Sequence, residues 1–222
     1  RQVAALANQG RAASLEDIEA FVRGERALPR NACLITIDDG MLSTYEHAVP
    51  ILVRHRVPAA IYVSSNLIGR RIEGAEEPYV SWDQLREIAG MPGITIGSHA
   101  HTHRSLGALS VYGARCEAAM SKQVLEDQLG IAVRSFAYPF GTTGDFDPDT
   151  DALLRDVGYT LAFNSIHGAI RAGMEPVSLP RVKVEGGESH SMFELVSRGA
   201  TLPWQLVDRH LWRLQRLRQE RV

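Results

Sequence analysis

Six short runs rich in β-branched and apolar residues recur along this 222-residue chain. They are ACLITI (residues 32–37), AAIYVSS (59–65), GITIGS (93–98), RSFAYPFG (134–141), TLAFNS (160–165) and SLPRVKV (178–184). Segments of helical spacing separate most of them. Parallel strands need long crossover connections, which helices usually supply. The alternation therefore predicts an α/β fold around a parallel sheet. At this length one domain, barrel-like or doubly wound, is expected. In such folds the chemistry gathers where strands end.

The helical segments carry their own punctuation. SLEDIEAFVRG has Ser14 as cap, acids in its first turn and a stop at Gly24. STYEHAVPILVRHR contains Pro50, which should start or kink a helix. SWDQLREIAG is capped by Ser81, and SVYGARCEAAMSKQVLEDQLG runs amphipathically to Gly130. DPDTDALLRDVG opens with Asp147 as cap and Pro148 at the first helical position, and closes at Gly158. A terminal helix is expected within residues 203–222, with an arginine-rich face from Arg209 through Arg221.

Composition excludes several classes. A formal net charge of −2 gives no global pull toward nucleic acid. No stretch approaches the roughly 20 apolar residues that span a bilayer. The two cysteines, Cys33 and Cys116, read as small buried hydrophobes rather than a disulfide. The sequence begins RQVAAL without Met or a signal-peptide pattern, as a processed or trimmed chain would.

Reactive residues cluster at the predicted strand ends. The first run ends in Asp38, Asp39 and Gly40; the third in Ser98 and His99, with His101 and His103 close behind; the fourth in Tyr138, Pro139, Phe140 and Gly141. Adjacent carboxylates at a strand end should diverge, one toward a metal and one toward a water. His99 and His103 are four apart, so one helical turn would bring both rings to one side. With a carboxylate they make a two-histidine, one-carboxylate ligand set with positions left for water and substrate.

Other metal motifs fit less well. The helical zinc-protease pattern needs Glu after its first His, and Ala100 stands there. The His-x-His pairs are similar to those of barrel amidohydrolases, which place the pair at the first strand. The acids of DFDPDTD lack the Gly and Glu of a calcium loop, with Thr150 and Asp156 in those places. A capped helix start accounts for them.

LITIDDG, IGSHAHTH and RSFAYPFG, in that order, resemble the polysaccharide deacetylases of carbohydrate esterase family 4, the NodB-homology domain. The resemblance extends over about residues 14–184, within a single domain taken as residues 1–222. It implies an irregular (β/α)7-type barrel with seven or so strands. It makes Asp38 the catalytic base, and Asp39, His99 and His103 the ligands of one divalent metal ion, usually zinc. The backbone N–H of Phe140 would face the oxyanion, with Tyr138 and Pro139 shaping the wall that holds that loop, either at the substrate or as ordinary turn packing. His101 has no counterpart role. Trp82, at a helix start, is a candidate sugar platform or a packing residue. The implied reaction is removal of N-acetyl groups from a glycan, favouring the cell envelope, or the cytoplasm for a lipid-linked precursor.

Two departures stand out. Many members brace the base with an Arg in the third motif, where this chain has Ala137. This form is similar to the branch acting on poly-N-acetylglucosamine-type exopolysaccharides, and Arg181 is the expected substitute brace. The Leu-x-His general-acid motif is also missing, leaving His167, His190 and His210 as candidates. A same-fold amidase acting on a small cyclic amide or imide, and a non-catalytic glycan-binding relic, are the alternatives.

Overall fold

The computed structural model describes residues 1–74, 76–184 and 189–200. In chain order its helices are α1 (Gln2–Asn8), α2 (Leu15–Val22), α3 (Val49–His55), α4 (Trp82–Ala89), α5 (Val111–Leu129), α6 (Pro148–Val157) and α7 (His190–Ser197). The strands are β1 (Ile35–Ile37), β2 (Ala59–Val63), β3 (Ile94–Ser98), β4 (Ser135–Ala137), β5 (Leu161–His167) and β6 (Leu179–Arg181). They form one all-parallel sheet in the order β1-β2-β3-β4-β5-β6.

A parallel sheet covered on both faces must be apolar at successive positions, and β2 is buried throughout. Its alternation still sorts side chains. Ala59, Ile61 and Val63 pack outward with Leu85, Ile88 and Leu125 of the covering helices. Ala60 and Tyr62 face inward with Ala137, Leu161, Phe163 and Leu179. Leu15, Ile18 and Val22 of α2 join this inner group, so α2 plugs the concave side. Full burial of each such side chain contributes about 1.5–3 kcal/mol.

β1 and β6 are the two edges of the sheet. Arg181 on β6 nevertheless reaches Thr36 Oγ1 at 3.3 Å and Asp38 beyond β1, so the sheet curls into a half-barrel. Six strands are present among the described residues, where the resemblance implied seven or so. A cavity of about 800 Å³ lies along the seam, lined by residues such as Ile18, Phe21 and Leu34 and reaching Asp38 and Arg181.

Local signals act as their chemistry requires. Ser14, Ser81 and Asp147 each accept a bond from the backbone N–H three residues on, and Asp17, Gln84 and Thr150 close reciprocal capping boxes. Gly130 and Gly158 end α5 and α6 in the left-handed conformation. Around Pro50 the chain differs from a simple kink. Thr44–Ala48 is a π-helical turn, and α3 follows it with Pro50 in its first turn. Pro50 has no N–H for the preceding turn, and the wider π turn spans that gap.

His190, one of the general-acid candidates, is the first residue of α7 under a Ser189 cap. The cysteines are free and only partly buried, and Cys33 lies beside the Arg11 guanidinium instead of in the strand. The terminal helix expected within 203–222, with His210 and the Arg209–Arg221 face, lies outside the described residues. Among the described residues no helix is long and apolar enough to cross a membrane.

Candidate active site

β1 stops at Ile37, and the next residues turn within three positions. Gly40 N–H donates to Asp38 O at 2.9 Å while Asp39 holds φ 72°. This is the rare, strained form of the γ-turn. Gly40 follows at φ 73°, and a Cβ there would stand 2.7 Å from Val63 Cγ1. This turn, not strand alternation, sends the two carboxylates apart. Asp38 faces the seam and Asp39 faces the histidines.

Asp38 is gripped by Arg181 in bidentate fashion: Nη1 donates to Oδ1 at 2.8 Å and Nη2 to Oδ2 at 2.7 Å. Arg181 Nε donates to Asn164 O at 2.9 Å, which aims the guanidinium. Burial pushes the Asp38 carboxyl upward, but the charges of Arg181 and His99 outweigh it and hold the group below its usual range.

Asp39 Oδ1 lies 3.4 Å from His99 Nε2 and 3.1 Å from His103 Nε2. These three residues form the one cluster of possible metal ligands among the described residues, with donor atoms within 4.8 Å of one another. His99 Nδ1 stands 2.7 Å from Ala137 O. A carbonyl can only accept, so Nδ1 carries the hydrogen. Nε2 then faces Asp39 as a donor when the ring is protonated, which the neighbouring carboxylates favour in the metal-free fold, or with its lone pair when the ring is neutral. In the neutral form two acceptors face each other, and a proton or a metal cation must lie between them. Donors bound about 2.0–2.1 Å from one tetrahedral ion stand roughly 3.4 Å apart. The two distances to Asp39 match that spacing, and the donor set is of a type that fits a divalent ion. Without one, burial pushes Asp39 upward, but hydrogen bonds with His103 and His99 hold it far below the ordinary carboxylate range.

His103 does not reach the cluster by a helical turn. Residues 99–103 form a loop in which Ala100 (φ 63°) and His103 (φ 61°) are both left-handed. Opposite, the end of β4 repeats the turn seen at β1. Gly141 N–H donates to Pro139 O at 2.7 Å, with Phe140 at φ 62° between them. The Phe140 N–H has no acceptor among the described residues. Its ring is 43% exposed and meets His103 edge-on, with centroids 5.0 Å apart.

The family profile of the polysaccharide deacetylases matches residues 25–162. The chain belongs to that family. Among its relatives is a putative polysaccharide deacetylase of Bacillus subtilis, 30% identical, covering 74% of this chain and 56% of the relative. The poly-β-1,6-N-acetyl-D-glucosamine N-deacetylase of Escherichia coli is 23% identical, covering 81% of this chain and 32% of that protein. The chain thus spans less than two thirds of either relative's own length. The solved structure of IcaB from Ammonifex degensii has a TM-score of 0.72 at 27% identity, covering 90% of this chain and 86% of that one.

Within this deacetylase fold Tyr138 takes the packing role, one of the two expected of it. It is 0% exposed, stacked near Phe136 and Phe146, and its hydroxyl donates to Asp151 at 2.6 Å. It therefore packs behind the Phe140 turn, away from solvent. Pro139 is buried beside it. Trp82 opens α4 and packs against the outer core. His101 turns Nδ1 to Ser65 Oγ at 2.8 Å. His167 ends β5, in register with Arg181. His190 instead lines a shallow groove with Gln9 and Glu194. Sequence reading passed over Tyr79, which pairs with Met41 beside the Asp39 turn and whose phenol is pushed upward by burial and by the Asp39 charge. It also passed over Glu117. The available signal was a carboxylate at a core-facing position of α5, in the buried series Ala114, Glu117, Ala118, Ser121, Leu125.

Proposed function

We propose that this chain is a metal-dependent hydrolase that removes N-acetyl groups from a glycan containing N-acetylglucosamine. The observation that carries the proposal is a base candidate, Asp38, adjacent in sequence to a separate three-donor cluster of Asp39, His99 and His103. Similarity to the E. coli poly-β-1,6-N-acetyl-D-glucosamine N-deacetylase favours an exopolysaccharide of that type as substrate.

Asp39, His99 and His103 would hold the ion, most simply zinc. Once bound, such an ion supplies Lewis acidity that polarises a carbonyl and acidifies a water. Asp38, kept ionised by Arg181, takes the proton from the attacking water. The Phe140 N–H, left without a partner by its γ-turn, donates to the oxygen that becomes negative as the acetyl carbon turns tetrahedral. One such donor typically lowers the barrier by about 3 kcal/mol. Collapse breaks the C–N bond and gives acetate and the amine, which must gain a proton. For that proton the position of His167 at the carboxyl end of β5 favours it over His190.

The test is acetate release from a panel of N-acetylated glycans, with cyclic amides and imides in parallel. Release from glycans alone supports the proposal. Turnover of the cyclic amides alone would transfer the site to that second class. Glycan binding without turnover, at any metal loading, would make the chain a binding relic.

A further inference from the structure

The loop that carries His99 and His103 is held in a conformation its residues do not favour. Ala100 and His103 are left-handed without being glycine, which costs free energy unless the surroundings impose it. Two sets of contacts impose it from opposite sides. On one side the segment after β2 takes up the loop carbonyls. Ser64 Oγ donates to His99 O at 2.6 Å, Ser65 N–H to Ala100 O at 3.4 Å, and Asn66 N–H to His101 O at 2.9 Å. On the other side Glu117 takes up the amides. Its Oε2 accepts from His101 N–H at 2.9 Å and Thr102 N–H at 2.8 Å, and its Oε1 accepts from the Thr102 hydroxyl at 2.6 Å.

Glu117 is only 9% exposed, on the inner face of α5. One turn further on the same face, Ser121 accepts from Ser98 Oγ at 2.7 Å in a buried hydrogen bond. α5 thus fixes the end of β3 with Ser121 and the following loop with Glu117. We infer that Glu117 is a positioning residue for metal binding, holding the 101–102 backbone so that His103 meets Asp39 and His99. It touches neither substrate nor ion. Its effect passes through the loop, as with other outer-shell partners of metal ligands. The inference rests on the metal reading proposed above.

Cobalt(II) uptake, followed by its visible absorption spectrum and by competition with a chelator, reads this role without any turnover. Glu117→Ala removes all three acceptor contacts. Glu117→Asp keeps a carboxylate but draws it back by one methylene, so it serves where the alanine variant fails to fold. Glu117→Gln keeps one oxygen for the two N–H groups and turns its amide N–H toward Thr102 Oγ1. The expected result is affinity weakened about 10–100-fold in the Ala and Asp variants, with an altered cobalt spectrum. The Gln variant should stay within about threefold of the parent, following the same geometry. Parent-like affinity and spectrum in the Ala or Asp variant would overturn the inference while leaving the metal reading intact. A Gln variant as weak as Ala would overturn it too, since acceptor geometry would not be the cause. A parent protein that takes up no cobalt would overturn both readings.

Discussion

Replacing Arg181 by Met keeps most of its volume and removes the charge that grips Asp38. The two N–O distances of 2.7 and 2.8 Å place the charge centres roughly 4 Å apart, which at an effective dielectric near 20 gives about 4 kcal/mol. The Asp38 side chain is 29% exposed, so solvent and salt reduce that figure. A carboxylate beside an arginine is typically displaced by about 1–3 pH units. In the parent, the pull of Arg181 and His99 overcomes burial and places Asp38 below its usual range. A base works only when ionised, so the acid limb of kcat/KM reports its titration in the free enzyme. The limb should move to higher pH by about 1–3 pH units in Arg181→Met. The plateau should fall as well, because Thr36 and Asn164 lose their shared donor. The assay is kcat/KM for acetate release from pH 4 to 9. Full activity with an unmoved acid limb would show that Arg181 is not the brace.

Other outcomes follow from the same contacts. In Gly97→Ala a new Cβ would overlap the Tyr62 ring and come within 2.7 Å of Ser135 Oγ. Chemical denaturation should show a loss of about 1–3 kcal/mol. Tyr138→Phe removes the hydroxyl bonds to Asp151 and Val177 O. It should lower stability by about 1–3 kcal/mol with kcat per folded molecule nearly unchanged, whereas a large change in KM would restore Tyr138 to the substrate wall. Asp38 and Asp39 titrate below their unfolded range in the metal-free fold. Their contribution is therefore full above about pH 4 and lost as pH falls through the folded values. Stability of the metal-free protein measured from pH 7 to 2 should decline in that window, and Asp38→Asn should flatten the decline.

The parts of the fold legible in the sequence are those governed by local chemistry. β2 and β3 could be read because doubly covered parallel strands admit only apolar or small residues, and α6 because Asp147, Pro148 and Gly158 mark both of its ends. Asp39, His99 and His103 stood out because ligand-type residues gathered at strand ends. What escaped depends on partners distant in sequence. Nothing near Ala100 signals a left-handed backbone, which is imposed by Ser64, Ser65, Asn66 and Glu117. Tyr138 sits where strand gives way to the turn at Pro139 and Gly141, and only the packing of Phe136 and Phe146 shows that it points inward. The π turn before Pro50 is another such case, since proline forbids a hydrogen bond without choosing the geometry that replaces it.

The most direct measurement titrates metal-stripped protein with zinc while following acetate release from β-1,6-linked N-acetylglucosamine oligomers. Asp38→Asn is carried alongside. Activity should rise to a plateau at one zinc per chain, and the variant should bind the same zinc and release almost no acetate. Release that ignores zinc, or an Asp38→Asn variant as active as the parent, would contradict the account.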